Sequence, residues 1–238
     1  MYKNIAKKKK HFLFDKVKCV LRVFKKKHQV IYLGDKVERS SIVLSNHVGA
    51  SGPLSWELYP EFPFRFWGTF EMNSDFKTMY HYLSKIYFHQ KKHWPLWISR
   101  IFCLIATPVM KAMYKGLEVI STYSDMRLKG TIGTSVEVLK EGHNIVIFPE
   151  DSSHGYFDKM TKFFPGFLLL AKTCYRNGID TPIYVAYYSK AKKKMVIDKP
   201  IKYSELIKKY EGLSFDDIAQ KMLERCNQLG EDIISNKY

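Results

Sequence analysis

Cysteine is scarce in this chain of 238 residues, and the few cysteines are far apart in the sequence. The four cysteines, Cys19, Cys103, Cys174 and Cys226, form no C-x-x-C pair. That spacing favours neither a structural zinc site nor a disulfide framework. We therefore expect no bound metal and a reducing, cytoplasmic setting.

An uncharged run long enough to cross a bilayer is also missing. The most hydrophobic segment is residues 94–114, and its uncharged part, Ile101 to Met110, is ten residues long. A transmembrane helix needs about 20 such residues, and Arg100 and Pro108 interrupt any longer one. The segment is predicted to be a helix in a membrane interface, beside an acyl groove or in the core. The basic amino terminus lacks the apolar region of a signal peptide, so none is expected.

Acidic residues are few. There are 23 Asp and Glu against 39 Lys and Arg, which gives a formal net charge of +16. Such an excess indicates an anionic partner, which could be nucleic acid, an anionic membrane surface or an acidic carrier protein. No DNA- or RNA-binding motif is present, so nucleic acid is not expected as a partner.

Residues 1–28 hold the densest positive charge, since positions 7–10 and 25–27 are all lysine. Leu13, Val17, Val20 and Phe24 recur between these lysines at helical spacing. The pattern predicts a basic amphipathic helix, which is typical of a segment that lies on an anionic membrane. The alternative is a solvated helix that packs its apolar stripe on the domain. We treat residues 1–28 as the membrane-interface helix and residues 29–238 as one domain.

Within residues 29–238, short apolar runs alternate with helical patterns. Residues 29–44 are predicted to form a hairpin that turns at Gly34, Asp35 and Lys36. Further strands are predicted at 62–70, 117–122, 145–148, 183–188 and 195–197, with helices between them. This alternation predicts an α/β fold: a mixed, mostly parallel sheet with helices on both faces.

Two stretches of this domain carry polar groups directly after an apolar run. In the first, SIVLSNHVGASGPLSW over residues 41–56, His47 follows the predicted strand, and Pro53 suits the first turn of a helix. In the second, IVIFPEDSSH over residues 145–154, Pro149 and Glu150 end the strand. Ligands of open α/β sheets bind at the carboxyl ends of the strands. One site that contains His47 and Glu150 is therefore predicted at this edge, although a His in a tight turn and a Glu in a cap or ion pair are the structural alternatives.

Together the two stretches resemble the PlsC-like glycerolipid (1-acylglycerol-3-phosphate) acyltransferases, which make phosphatidic acid. The first motif of that family is Asn-His followed by four residues and an Asp; here it is Asn46-His47, with Gly52 in place of the Asp. The third motif, Phe-Pro-Glu-Gly-Thr-Arg-Ser, corresponds to residues 148–154, where Ser153 replaces the Arg. The Arg of the second motif is missing from residues 117–122, and Arg127 comes too late. Order and spacing match over roughly residues 40–190.

The resemblance implies an O-acyltransferase that moves a fatty acyl group from acyl-CoA or acyl-carrier protein to a lipid or polyol hydroxyl, without a cofactor. The protein would be peripheral, on the cytoplasmic face of the cell membrane. His47 would be the general base, and Glu150 would brace the site and help to bind the acceptor. Backbone N–H groups of residues 49–52 would stabilise the oxyanion.

The remaining site residues also follow from the resemblance. The residues expected to contact substrate are Asn46, Asp151, Ser152, Ser153 and His154. Glu57 or Asp151 would orient His47 in place of the missing Asp. The lost arginines favour an uncharged acceptor over a phosphate. A catalytically inactive relative that binds lipid is the alternative function.

Overall fold

The computed structural model describes residues 12–153 and 155–238. The strands are β1 (Gln29–Tyr32), β2 (Ile42–Ser45), β3 (Phe64–Thr69), β4 (Ile120–Thr122), β5 (Asn144–Ile147), β6 (Pro182–Ser189), β7 (Lys194–Ile197) and β8 (Ile201–Lys202). The α-helices are α1 (Phe12–Phe24), α2 (Ser51–Leu58), α3 (Phe76–His81), α4 (Leu96–Leu117), α5 (Leu128–Lys140), α6 (Gly166–Arg176), α7 (Tyr203–Lys209) and α8 (Phe215–Ile234). A 3₁₀ turn covers Phe70–Asn73, and a π-helix covers Tyr82–Lys91.

The eight strands form one open, mixed sheet. Its order is β1-β7-β6-β2-β5-β3-β4, with β8 on a further part of β6. Strands β6, β2, β5, β3 and β4 run parallel to one another. Strands β7 and β8 are antiparallel to β6, and β1 joins β7 in parallel. The prediction of an α/β fold with a mostly parallel sheet is confirmed.

The predicted hairpin over residues 29–44 is wrong. Strand β1 pairs with β7, from Gln29 opposite Lys194 to Tyr32 opposite Ile197. Strand β2 instead lies between β5 and β6. Because β2 is buried along its whole length, it belongs in the middle of the sheet, where both of its edges are hydrogen-bonded.

Helices cover both faces of the sheet, as predicted. One apolar cluster packs strand residues such as Ile145 against Leu168 of α6 and Leu223 of α8. A second cluster lies on the opposite face, where Val146 packs with Trp56 of α2. Neighbouring residues of β5 thus point into different cores, which is the alternation that a strand imposes. The sheet is therefore fixed on both sides, and its carboxyl edge is a rigid base for a site.

The connection from β3 to β4 is wholly helical. It runs through the 3₁₀ turn, α3, the π-helix and α4. Helix α4 is continuous, with Pro108 inside it, so the expectation that Pro108 interrupts this segment is wrong. Among the described residues, α4 is the one helix whose length and composition would allow it to cross a membrane.

Helix α1 lies against α2, close to the predicted site. Arg22 donates through Nε to the carbonyl of Leu58, and Lys25 donates through Nζ to the carbonyl of Ser51 at 2.7 Å. The buried side of α1 includes Phe14, whereas Val20 and Phe24 of the predicted stripe are exposed. Residues 1–11 of the predicted interface segment lie outside the described residues, and membrane binding by this segment stays a prediction.

Candidate active site

Strands β2 and β5 bring His47 and Glu150 together. The strands are paired in parallel, with Leu44 opposite Ile147, so both chains leave the sheet at the same edge. The backbone N–H of His47 lies close enough to the Glu150 carboxylate to favour its ionised form. Two residues that are 103 positions apart in the sequence therefore meet as predicted, through the carboxylate and the backbone rather than the imidazole.

The turn after His47 is tight. Val48 and Gly49 both have positive φ, 48° and 61°. The N–H groups of Ser51 and Gly52 then donate to the carbonyl oxygens of Val48 and His47, at 3.2 and 3.0 Å. These bonds fold the chain back directly into the first turn of α2.

This turn explains why glycine stands at position 52. A β-carbon on Gly52 would lie 2.3 Å from the carbonyl oxygen of His47 and 2.9 Å from that of Asn46. Both neighbours are backbone atoms, which cannot swing aside as a flexible side chain can. An Asp at position 52 is therefore incompatible with this backbone, so its absence is linked to the shape of the turn.

The imidazole of His47 is packed between two aromatic rings. Tyr156 stacks on it at 4.8 Å between ring centroids, and Phe148 meets it edge-on at 4.9 Å. Nδ1 is buried, and no described residue forms a hydrogen bond with it. The ring is thus held by contacts with its faces.

The surroundings keep the imidazole neutral. Burial is the main reason that the pKa of His47 is lowered to about 4. The Gly49 backbone acts in the opposite direction, whereas the ammonium groups of Lys91 and Lys92 add to the lowering. At neutral pH the ring therefore carries a free lone pair, which is the form that a general base requires.

The pKa of Glu150 is shifted upwards, whereas that of His47 is shifted downwards. Burial raises its pKa to about 7, although the His47 backbone N–H and the nearby Lys91 oppose the change. Its Oε1 is buried without a hydrogen-bond partner among the residues that the structure describes. Because the pKa lies near neutrality, Glu150 can hold or release a proton under physiological conditions.

Two lysines complete the positive side of the site. Lys91 donates through Nζ to the hydroxyl oxygen of Ser152 at 2.8 Å. Lys92 Nζ would lie 3.1 Å from a β-carbon placed on Gly49. Both ammonium groups lie over the ring of Tyr156, 5.7 and 5.4 Å from its centroid. These lysines and Tyr156 were not among the predicted site residues, because only the packing of the π-helix against the two motifs brings them to His47.

Asn46 is used within the sheet. Its side-chain Oδ1 accepts from the Tyr188 N–H at 2.7 Å, and its Nδ2 donates to the Tyr188 carbonyl at 3.0 Å. The amide thus continues the β2–β6 ladder by one more pair of bonds. This geometry makes Asn46 a residue that fixes the position of His47, next to it in the chain.

The other predicted residues are distributed as follows. Asp151 accepts from the Ser153 N–H at 3.0 Å, next to Glu150. Ser153 is exposed, and His154 lies outside the described residues. Glu57 is buried in α2 and pairs with Lys18 of α1 at 3.2 Å. The role of Glu57 or Asp151 in orienting His47 stays a prediction.

Arg127 lies away from this site. It forms an ion pair with Asp125 at 2.7 Å and stacks on Tyr123, with 4.3 Å from its guanidinium carbon to the ring centroid. It lines an open surface cavity of about 560 Å³ whose walls include none of the residues around His47. Lys91 and Lys92, rather than Arg127, therefore supply the positive charge next to His47.

Metal ligands were sought among the residues that the structure describes. Across residues 12–153 and 155–238, no three His, Cys, Asp or Glu side chains are grouped to hold a metal ion. No protein-family model matches the chain, and no curated protein matches it either. The likeness to acyltransferases therefore stays a prediction from the two motifs.

Proposed function

We propose that this protein is a membrane-surface acyltransferase that moves a fatty acyl group from acyl-CoA or acyl-carrier protein to a lipid or polyol hydroxyl. The observation that carries the proposal is the position of His47 beside Glu150 at the carboxyl edge of parallel strands, in surroundings that lower the pKa of its imidazole. A thioester reacts with a hydroxyl once that hydroxyl loses its proton, so a positioned base is the main requirement.

In the proposed reaction, His47 takes the proton from the acceptor hydroxyl as the oxygen attacks the thioester carbonyl. The carbonyl oxygen becomes an oxyanion, and the carbon–sulfur bond then breaks as the ester forms. The departing thiolate receives the proton from His47. No covalent enzyme intermediate and no cofactor are needed.

The turn after His47 offers donors for the oxyanion. The amides of Ser51 and Gly52 already donate to the carbonyls of Val48 and His47. This leaves the amides of Gly49 and Ala50, rather than all four that the sequence analysis considered. One oxyanion-hole donor is typically worth about 10²–10³-fold in rate.

The charges of Lys91 and Lys92 indicate which kind of substrate the site would bind. Two ammonium groups within 6 Å of Tyr156 favour a negatively charged group on the acceptor or on the acyl donor. In this proposal the two lysines supply the positive charge that the missing arginines of the motifs would have supplied. We therefore propose that a phosphate-bearing acceptor such as lysophosphatidic acid is accommodated, which departs from the uncharged acceptor predicted from the motifs.

The second candidate function is an inactive relative that binds lipid. One observation favours it: no carboxylate among the described residues forms a hydrogen bond with Nδ1 of His47. The Asp that would do so is excluded at Gly52 by the backbone. Loss of the corresponding carboxylate in serine proteases lowers the rate by about 10⁴-fold.

The proposed location is the cytoplasmic face of an anionic membrane. Helix α1 lies close to the site, since Lys25 binds the backbone carbonyl of Ser51 in the first turn of α2. Exposed lysines of α1 and the lysine-rich positions before it add about 1 kcal/mol of attraction each near such a surface. Salt would weaken this attraction, because the screening length is about 8 Å at physiological ionic strength.

Transfer of labelled acyl groups to a panel of acceptors tests the proposal, with His47→Ala compared with His143→Ala. His143 is also buried, but it precedes β5 at the opposite edge of the sheet. Transfer by the wild type that falls about 10²–10⁴-fold in His47→Ala but persists in His143→Ala supports the enzyme. No transfer by the wild type, with lipid binding unaffected in His47→Ala, supports the inactive relative. Undiminished transfer by His47→Ala refutes the mechanism.

A further inference from the structure

Helix α4 has its large apolar side chains on the outside. Trp97, Ile101 and Ile105 are 67%, 60% and 76% exposed, respectively. The side that faces the protein carries Ser99, Cys103 and Thr107, which are fully buried. These three recur every fourth residue, so one narrow stripe of small side chains faces inward.

The exposed face is broad. Its exposed large apolar side chains along the helix are Trp97, Ile98, Ile101, Phe102, Leu104, Ile105 and Val109, with Trp94 just before the helix. Monomeric proteins in water rarely expose a contiguous apolar patch of this kind without a binding role. Helices that meet lipid show the same arrangement, with small residues at the helix contacts and large apolar residues outward. The pattern therefore indicates a surface that binds lipid.

The inner side of α4 is already occupied by the protein. Cys103 packs in a cluster with Met79 of α3 and Leu83 of the π-helix. The helix also leads back into the sheet, because it connects β3 to β4, which are parallel neighbours. A helix of 22 residues is about 33 Å long, but only its outer face is free. It can therefore lie in the plane of a membrane interface, as amphipathic surface helices do.

Helix α1 extends the same surface. The ring of Phe14 packs on Gly116 near the end of α4, where a β-carbon would approach that ring to 2.4 Å. Beyond this contact, α1 exposes Val20, Val23 and Phe24. Both helices thus expose apolar side chains and touch each other at Phe14 and Gly116. We call the exposed apolar residues of α4 and α1 together the apolar face.

The positive charge of the protein favours a negatively charged binding partner for the apolar face. The formal net charge is +16, and Lys16, Lys26 and Lys27 are exposed on or just after α1. A second copy of the chain would bring an equal positive charge against the first. An anionic lipid surface supplies both the apolar environment and the opposite charge.

We propose that the apolar face inserts into the interface of an anionic bilayer, with the outer side of α4 in the acyl region. The proposal deepens the proposed function by naming the membrane-binding surface, and insertion does not depend on whether His47 transfers acyl groups.

The apolar face adjoins the candidate site. Lys92 lies beside Gly49 in the turn after His47, and Trp94 follows only two residues later. Two residues span at most about 7.6 Å between Cα atoms. The turn after His47 is therefore near the membrane when α4 is inserted, and the proposal places the site close to its lipid acceptor.

Co-sedimentation with vesicles of phosphatidylglycerol and phosphatidylcholine tests the insertion. The double variant Ile101→Glu/Ile105→Glu places charges on the apolar face at exposed positions, which need not alter the core. The matched control is Ile234→Glu at the end of α8, a residue that is 58% exposed. We expect the double variant to lose at least about tenfold in vesicle partitioning, and the control to bind as the wild type does. Equal thermal unfolding of all three proteins shows that the loss is not due to misfolding.

Tryptophan fluorescence gives a second readout. Trp97 is exposed, whereas Trp56 is buried in the core. Addition of vesicles should shift the emission of the wild type to shorter wavelength, and Trp97→Phe should reduce that shift. Wild-type partitioning of the double variant overturns the proposal. So does a dimer in sedimentation velocity that the double variant abolishes, since the face would then bind a second copy. Because these measurements need no acyl transfer, failure of the enzyme hypothesis leaves them interpretable.

Discussion

Replacement of Glu150 by glutamine is expected to stabilise the protein at pH 8 and to leave its stability nearly unchanged at pH 4. Burial raises the pKa of Glu150 from its usual 4.5 to about 7. Between these two values the folded protein holds a proton that the unfolded chain has lost. The free energy of unfolding therefore falls as the pH rises through this window, and the fall is complete above the folded-state pKa.

The size of the effect follows from the displacement of the pKa. Each pKa unit corresponds to 1.36 kcal/mol, so the wild type loses about 3 kcal/mol between the two ends of the window. Glutamine cannot ionise and therefore avoids this loss, while it keeps nearly the same shape as glutamate. The expected stabilisation by Glu150→Gln is thus about 3 kcal/mol at pH 8 and near zero at pH 4.

Urea denaturation of both proteins at the two pH values measures this difference. The lowered pKa of His47 makes unfolding easier as the pH falls from 6.5 towards 4, because the unfolded chain then binds the extra proton. That contribution is common to wild type and variant, so it cancels in their difference.

Asp217→Asn is the control with the opposite sign. Hydrogen bonds from Ser214 in the cap of α8 lower the pKa of Asp217. Its ionised form stabilises the folded state above the unfolded-state pKa, so this variant should be destabilised at neutral pH and recover in acid. A stability difference for Glu150→Gln that does not change with pH would show that burial does not raise the pKa of Glu150.

Three further outcomes are expected. Gly52→Asp should destabilise the protein by about 3 kcal/mol and should not raise activity, since its β-carbon meets the His47 carbonyl; a faster variant with unchanged melting temperature would contradict this. Asn46→Ala should cost about 2–4 kcal/mol in urea denaturation, because the buried N–H and C=O of Tyr188 lose their partners; unchanged stability would show that these bonds do not hold the two strands together. Lys92→Met should lower kcat/KM for lysophosphatidic acid about tenfold more than for an uncharged acceptor, and an unchanged ratio would argue against charge recognition.

The sequence was informative where local pattern decides the structure. The apolar runs that became β2 and β5 are continuous because both strands are buried on both faces, and such runs are visible in a sequence. Polar residues that follow two such runs must leave the sheet at its edge. The α/β fold and the neighbourhood of His47 and Glu150 could therefore be predicted.

Strand pairing was beyond the reach of local pattern. The composition of β1 predicts a strand, but it does not show which strand β1 pairs with. We therefore predicted pairing with β2, the next strand in the sequence, whereas β1 pairs with β7. Lys91, Lys92 and Tyr156 belong to the site only because a π-helix and a loop converge on His47. The exclusion of Asp at position 52 likewise depends on two carbonyl oxygens whose positions only the folded turn determines.

Helix α4 also shows what local sequence pattern predicts and what depends on tertiary packing. Its composition made it the most hydrophobic segment, and the sequence by itself placed it in an interface, beside an acyl groove or in the core. A helical pattern shows which residues share a side, but not which side meets the protein. Tertiary packing settled that question: Cys103 packs against α3 and the π-helix, Ser99 and Thr107 are buried on the same side, and the bulky residues are left outside. The sequence thus determined the elements and their chemistry, while the packing of distant elements decided which surfaces they present.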